Sequence, residues 1–306
     1  MRDAFISELV ALAAEDPTIF LVVGDLGFSV IEEFAERFPD RFLNSGVAEQ
    51  TMLGVASGLA SAGFKVFVYS IGNFPTVRCL EQIRNDVCYH DRAVTVVSVG
   101  GGLSYGNLGY THHAIEDLAL MRALPKMRVL SPSDPFEARA LTRYAAENPG
   151  PTYLRLGKNG EPLLRRASTG PVQPEVLQLL RAGDDIVFLT TGSIANAVLE
   201  AANLLDDHGV SARVISVPFL KPFPDVVLDA VVGARVIVTV EEHSEVAGFG
   251  SAVLEAASKR RISNPIHTFG LPEELAGQLI GSQSYLQEQA GLSPQSIADR
   301  VRDLLL

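Results

Sequence analysis

Apolar residues fall in short runs along the chain, and the stretches between them keep a different period. IFLVV at 19–23, KVFVY at 65–69, AVTVVSV at 93–99, MRVLS at 127–131 and PTYLRL at 151–156 have strand length. Residues 2–14, 47–60, 114–123 and 137–147 carry apolar positions at helical spacing. Strand alternating with helix predicts a mostly parallel sheet covered by helices on both faces. The expected fold class is α/β.

The pattern weakens from Gly157 to Pro174, where Gly and Pro accumulate, and a linker is predicted over 161–174. A second βα series follows. DIVFLTTG at 185–192, SARVISVP at 211–218 and ARVIVTVEE at 234–242 read as strands. SIANAVLEAANLLDDHG reads as a helix capped by Ser193, and GSAVLEAASKR at 250–260 as another. Two α/β domains are expected, residues 1–160 and 175–306.

Composition narrows the function classes. A chain of 306 residues that is 47% hydrophobic has material for two cores. Its 25 basic and 36 acidic residues give a net charge of -11, which argues against a non-specific nucleic-acid binder. Cys79 and Cys88 lack metal-type spacing and read as reduced thiols. MRDAFISELVALAAEDP has acids at Asp3 and Glu8 and no long apolar centre, unlike a secretion signal. No run is long enough for a membrane span. A cytoplasmic protein that binds neither nucleic acid nor membrane is expected.

NSGVAEQTMLGVASGLASAG, residues 44–63, poses a chemical question. Its apolar spacing fits a helix starting near Val47, with Glu49 in the first turn. A helix dipole alone accommodates such a carboxylate. However, the surrounding glycines and alanines leave little side-chain volume, so neighbouring backbone can come close. A carboxylate there needs a donor, and a ligand would supply one. Further on, five glycines between 100 and 109 follow a predicted strand, and His112 and His113 open the next predicted helix. Loops beyond the C-terminal ends of parallel strands are where ligands gather.

GVAEQTMLGVASGLASAG resembles the pyrimidine-binding segment of the transketolase family of thiamine-diphosphate enzymes. GLSYGNLGYTHHAIEDLALMRALPKMRVLSPSDP resembles that family's active-site histidine segment. The resemblance covers most of the chain: a pyrimidine-binding (Pyr) domain over 1–160 and the transketolase C-terminal domain over 175–306. It implies thiamine diphosphate as cofactor, with Glu49 bonding N1′ of the aminopyrimidine. It sets Phe74 against that ring, with Ser70 and Asp25 beside the cofactor. His112 would bond the oxygens of a ketose donor. Ser29 and Arg2 fall where relatives grip phosphate, and Lys158, or Arg155 near it, where they place a late arginine. Arg78, Glu81 and Arg84 share a helical spacing that suits surface or subunit-contact ion pairs. A dipole role suffices for Glu116 and Asp117, and no role follows for His243.

Departures from the family concern the substrate and the diphosphate. Gly100 stands where relatives have a histidine, and Leu108 where they have an aspartate. The family's GDG motif with its later asparagine, which holds diphosphate and metal, has no counterpart; GDL at 24–26 lacks the asparagine. The resemblance therefore implies the C-terminal section of a split transketolase. An N-terminal subunit would carry the diphosphate and Mg2+ or another divalent cation, in an α2β2 assembly. The expected reaction moves a two-carbon ketol unit from a ketose (phosphate) to an aldose-type acceptor, with no activity in the isolated chain. The alternatives are the β subunit of a 2-oxo acid dehydrogenase E1 component and a 1-deoxyxylulose-5-phosphate synthase-like enzyme. A fold-keeping regulatory protein is a third.

Overall fold

The structure is a computed structural model that describes residues 1–27, 29–164, 171–275, 277–278 and 280–305. The strands are β1 (Ile19–Val23), β2 (Phe42–Asn44), β3 (Lys65–Ile71), β4 (Val94–Val99), β5 (Arg128–Leu130) and β6 (Thr152–Leu156), then β7 (Gln178–Arg181), β8 (Ile186–Thr190), β9 (Ala212–Ser216), β10 (Phe219–Lys221), β11 (Ile237–Ser244) and β12 (Ile266–Leu271). They form a seven-stranded sheet, ordered β10-β5-β6-β4-β3-β1-β2, and a five-stranded sheet, ordered β12-β11-β8-β9-β7. All pairings are parallel except β10 with β5 and β7 with β9. The chain is thus two mostly parallel α/β units.

Strand alternation sorts the core. Phe67 and Tyr69 of β3 face α1 (Arg2–Glu15), packing with Phe5 and Leu9. Their neighbours Val66 and Val68 share the opposite face with Met52 and Leu53 of α3 (Glu49–Ser61), which follows α2 (Glu32–Arg37). Each such buried side chain contributes about 1.5–3 kcal/mol. The short α4 (Leu80–Gln82) runs into a π-helical turn, Ile83–Cys88, and α5 (Asp117–Ala123) covers the same face. Beside α1 lies α6 (Pro135–Glu147), started by Asp134, which accepts from the Glu137 amide at 2.8 Å, with Pro135 in the first turn.

In the second unit, α7 (Ala195–Asp206) covers one face with α11 (Pro294–Leu305). The other face is covered by α8 (Asp225–Val231) and α9 (Phe249–Arg260), whose cluster continues into the first unit. A further helix, α10 (Gln283–Gln289), reaches back to the Gly-rich loop. Strand β10 crosses over to edge the first sheet, so the two units share backbone pairing as well as core.

Several expectations change. Helix α3 starts at Glu49, not near Val47. Residues 106–108 and 110–112 form 3-10 turns, so His112 and His113 precede α5 rather than open it. Ser193 does not cap α7, whose N-cap is Ile194. Of the predicted linker 161–174, residues 165–170 lie outside the described residues; the rest carry no strand or α-helix.

Candidate active site

Strands β1, β3 and β4 lie side by side, and their C-terminal ends deliver three loops to one edge: Gly24–Asp25, Ser70–Gly72 and Gly100–Gly102. Glu49 is the first residue of α3 and only 3% exposed. A Cβ on Gly24 would meet Ser70 Oγ at 3.6 Å, Glu49 Cγ at 3.7 Å and Met52 Sδ at 3.7 Å. These side chains therefore converge on one spot. The Ser70 hydroxyl is buried there without a hydrogen-bond partner. Such a group costs about 1–3 kcal/mol unless a ligand satisfies it.

Arg78 Nη1 donates to Glu49 Oε2 at 2.7 Å. Its guanidinium carbon lies 4.9 Å from the centroid of the Phe74 ring. Phe74 in turn meets the His112 ring edge-on, with centroids 5.1 Å apart. The turn bearing Phe74 is fixed by Ser98 Oγ, which donates to the Gly72 carbonyl at 2.7 Å. Gly72 has φ +43, and a Cβ there would meet the His112 carbonyl oxygen at 3.2 Å. Through Arg78, Glu49 is thus linked to Phe74 and His112 in one contiguous surface. Arg78 joins it because residues 72–79 form an irregular turn; the helical spacing that grouped it with Glu81 and Arg84 does not apply. Beside this surface His113 is buried, and burial lowers its pKa, favouring the neutral ring.

Asp25 has φ +54 and is held by Asn44 on both sides: its amide donates to Asn44 Oδ1 and its Oδ1 accepts from Asn44 Nδ2, each at 3.0 Å. Ser29, at φ +64, donates its amide to Glu32 at 2.6 Å. Arg2 contacts Asp3 at 3.4 Å, and no described hydrogen bond joins it to Ser29. Instead Arg2 and Lys158 share a neighbour that no motif marks, Tyr105. Lys158 Nζ lies 4.6 Å above the Tyr105 ring. Burial raises the Tyr105 pKa and the nearby Arg2 charge opposes that rise. Tyr105 also explains Gly100: a Cβ there would lie 2.1 Å from the phenol ring.

Arg155 corrects an expectation. It is 5% exposed and does not face a substrate site. Its Nε donates to Asp117 Oδ2 at 2.8 Å, and its Nη2 to the carbonyls of Ala114 at 2.7 Å and Glu242 at 3.0 Å. The bond to the Glu242 carbonyl ties the two units together, and Asp117, as the buried counter-charge that holds Arg155, does more than meet a helix dipole. Glu242 adds a second tie, accepting from the Leu103 amide at 2.5 Å and from Gln283 Nε2 at 2.9 Å. Glu241 caps α9, accepting from the amides of Phe249 at 2.6 Å and Gly250 at 2.7 Å. Burial pushes its pKa up to about 7 against those two bonds. Burial likewise pushes fully buried His243 down to about 4, while Asp117 pulls the other way.

The small residues of α3 behave differently from expectation. Nothing lies within 4 Å of a Cβ built on Gly54 or Gly58, so among the described residues no neighbouring backbone packs there. Large apolar side chains are exposed around the site edge, among them Val47 at 77% and Val77 at 49%. Among the described residues, no group of three or more His, Cys, Asp or Glu side chains is arranged to hold a metal, and no helix is long and apolar enough to cross a membrane. A buried carboxyl, an unsatisfied hydroxyl and an aromatic face together fit a planar heterocycle with a hydrogen-bonding edge, as an aminopyrimidine has.

Known proteins resemble the chain over nearly its whole length. The family "Transketolase, pyrimidine binding domain" matches residues 1–161, and "Transketolase, C-terminal domain" matches 176–297. One subunit of the apulose-4-phosphate transketolase of Phocaeicola vulgatus is 33% identical over 275 residues, 89% of this chain and 88% of that protein. 1-Deoxy-D-xylulose-5-phosphate synthase 2 of Geobacter sulfurreducens is 33% identical over 97% of this chain but only 47% of its own length. Among solved structures, a split gene transketolase described as an inactive beta4 tetramer is 35% identical, with a TM-score of 0.86 over 99% of this chain and 96% of that one.

Proposed function

The chain belongs to the transketolase family, and from that premise we propose that it is one subunit of a split thiamine-diphosphate enzyme. In this reading it transfers a two-carbon ketol unit from a ketose phosphate to an aldose-type acceptor. The observation that carries the reading is Glu49, buried at the start of α3 beside the unsatisfied Ser70 hydroxyl and the Phe74–His112 pair. The cofactor supplies a nucleophilic carbon that protein side chains lack. Glu49 holds a proton at the pyrimidine N1′, Phe74 packs on that ring, and His112 bonds substrate oxygens. Asp25, locked by Asn44, lines the same edge. Arg2 and Lys158, which share Tyr105 as a neighbour, bind the substrate phosphate together with Ser29. Lys158 serves there as a point charge rather than a bidentate fork.

A partner subunit completes the site with the diphosphate and Mg2+ or another divalent cation, in an α2β2 assembly. The open Gly54–Gly58 face and the exposed Val47 and Val77 suit a docked partner. The Phocaeicola vulgatus relative, named as one subunit of a transketolase and matched over nearly its full length, supports a two-chain enzyme with a sugar-phosphate substrate.

A second reading, a 1-deoxyxylulose-5-phosphate synthase-like enzyme, is favoured by the match to the Geobacter sulfurreducens protein. One experiment separates them. The chain is combined with the partner subunit and offered ketose phosphates, then pyruvate and branched 2-oxo acids, each together with an aldose acceptor. Ketol transfer from a ketose, absent with either chain alone, supports the first reading. Turnover of 2-oxo acids only, or full turnover by this chain alone, overturns it.

A further inference from the structure

Arg78 occupies a peculiar position. Its side chain is half exposed, yet it donates to the carboxylate of Glu49, which is almost wholly buried. At the same time its guanidinium lies over the Phe74 ring, 4.9 Å from the centroid. Its backbone carbonyl accepts from Gln50 Nε2 at 3.2 Å, tethering the turn to α3. The guanidinium thus meets the two features assigned above to the aminopyrimidine: a hydrogen bond to Glu49 and a contact with the Phe74 face.

A guanidinium and an aminopyrimidine share the properties these two surfaces recognise. Both are planar, both can share an N–H with a carboxylate (the pyrimidine through a protonated N1′), and both are attracted to an aromatic face. They compete for the same carboxylate edge and the same ring. We propose that Arg78 is a stand-in that satisfies Glu49 while the cofactor is absent and is displaced when the aminopyrimidine binds. This rests on the reading of Glu49 as the pyrimidine-binding acid.

The physical need is clear. A carboxylate buried without a partner is costly, and among the described residues Arg78 is the side chain that donates to Glu49. The means is also present. Arg78 sits on the irregular turn before α4, and its neighbour Val77 is exposed. The side chain can therefore swing to solvent without opening the core. Arg78 is a positioning residue for cofactor loading; it takes no part in the transfer itself.

The test titrates thiamine diphosphate, with Mg2+, into the chain combined with its partner subunit, using calorimetry. Wild type, Arg78→Ala and Arg78→Lys are compared. With the competitor removed, Arg78→Ala is expected to bind the cofactor about three- to tenfold more tightly, the scale of a partly exposed charged hydrogen bond. Arg78→Lys falls between, since a lysine pairs with Glu49 but loses the planar stack. Unchanged or weaker binding in Arg78→Ala overturns the displacement and leaves the cofactor assignment standing. Failure of every form to bind overturns both.

A second measurement needs no cofactor. Thermal unfolding of the isolated chain is compared for Arg78→Ala, Glu49→Gln and the double variant. The stand-in role requires non-additive losses, because either change alone breaks the same pair. Strict additivity overturns it.

Discussion

Arg78 Nη1 and Glu49 Oε2 are 2.7 Å apart, joining a half-exposed cation to a carboxylate at the floor of the site. Glu49 is thus available to a planar, cationic or proton-sharing partner and is shielded from bulk water. Replacing it by Gln keeps the shape and removes the acid. In the chain combined with its partner subunit, Glu49→Gln should lower kcat by about 10²–10⁴-fold, the range for loss of a general acid–base group. The KM for the sugar should move little, because Glu49 faces the cofactor in this reading. Steady-state kinetics at saturating thiamine diphosphate measures both, and a variant with wild-type kcat would remove Glu49 from the chemistry.

The Arg155–Asp117 pair makes a prediction about stability. Both side chains are buried, and Tyr153 also donates to Asp117 Oδ2 at 2.5 Å. Asp117→Asn leaves the Arg155 guanidinium buried without its counter-charge. The expected loss is about 3–5 kcal/mol, as for other broken buried pairs. Combining Asp117→Asn with Arg155→Met should recover part of it, since no lone charge then remains. Urea unfolding of the isolated chain provides the comparison. If the double variant loses as much as both single variants added together, the two residues are not a unit.

Legibility in the sequence follows the range of the interactions. Strands β1, β3, β4 and β6 are buried on both faces, so their apolar runs are nearly unbroken and readable. The edge strands β2, β7 and β10, reading FLN, QLLR and FLK, are short and mixed, and carry no such signal. Helix α11 buries Ile297, Ala298 and Val301 at helical spacing between polar residues, so its signal is periodic rather than an unbroken apolar run. Glu49, Phe74 and His112 stand out because local motifs surround them. Arg155 does not reveal its partner, since Asp117 is 38 positions away and meets it only once β6 and α5 are packed. A helical period misplaces Arg78, because its segment is a turn. Tyr105 gives no sequence signal, because a close approach to Gly100 is a tertiary fact.

That approach can be tested directly. Gly100 has φ +83, and a Cβ there would lie 2.1 Å from Tyr105 Cε2. Gly100→Ala therefore brings both backbone strain and a steric clash, together about 2–4 kcal/mol. With Tyr105→Ala in the background the clash vanishes and the strain stays, so the cost should roughly halve. Thermal unfolding of the four forms reads the difference. Equal losses in both backgrounds would mean that backbone strain alone demands the glycine.

Glu241 and His243 set opposing slopes in stability against pH. Folded Glu241 keeps its proton until about pH 7, whereas unfolded it releases it near its ordinary 4.5. Between those values the folded chain binds more protons, so this group makes stability fall as pH rises, by on the order of 3 kcal/mol across the window. Folded His243 takes up a proton only near pH 4, against an ordinary 6.5 when unfolded. There the unfolded chain binds more protons, so stability falls as pH drops. The two effects oppose each other between about pH 4.5 and 6.5, with Asp117, Arg155 and Arg122 as the charges bearing on them. His243→Gln removes one slope while keeping an acceptor for the Ala119 amide and a donor for the Ser244 carbonyl. Relative to wild type, the variant's Tm should therefore rise as pH is lowered from 7 to 5, at about 2–4 °C per kcal/mol for a chain of this size. Thermal scans across that range check it. Parallel profiles for the two proteins would mean that the buried imidazole does not resist protonation on folding.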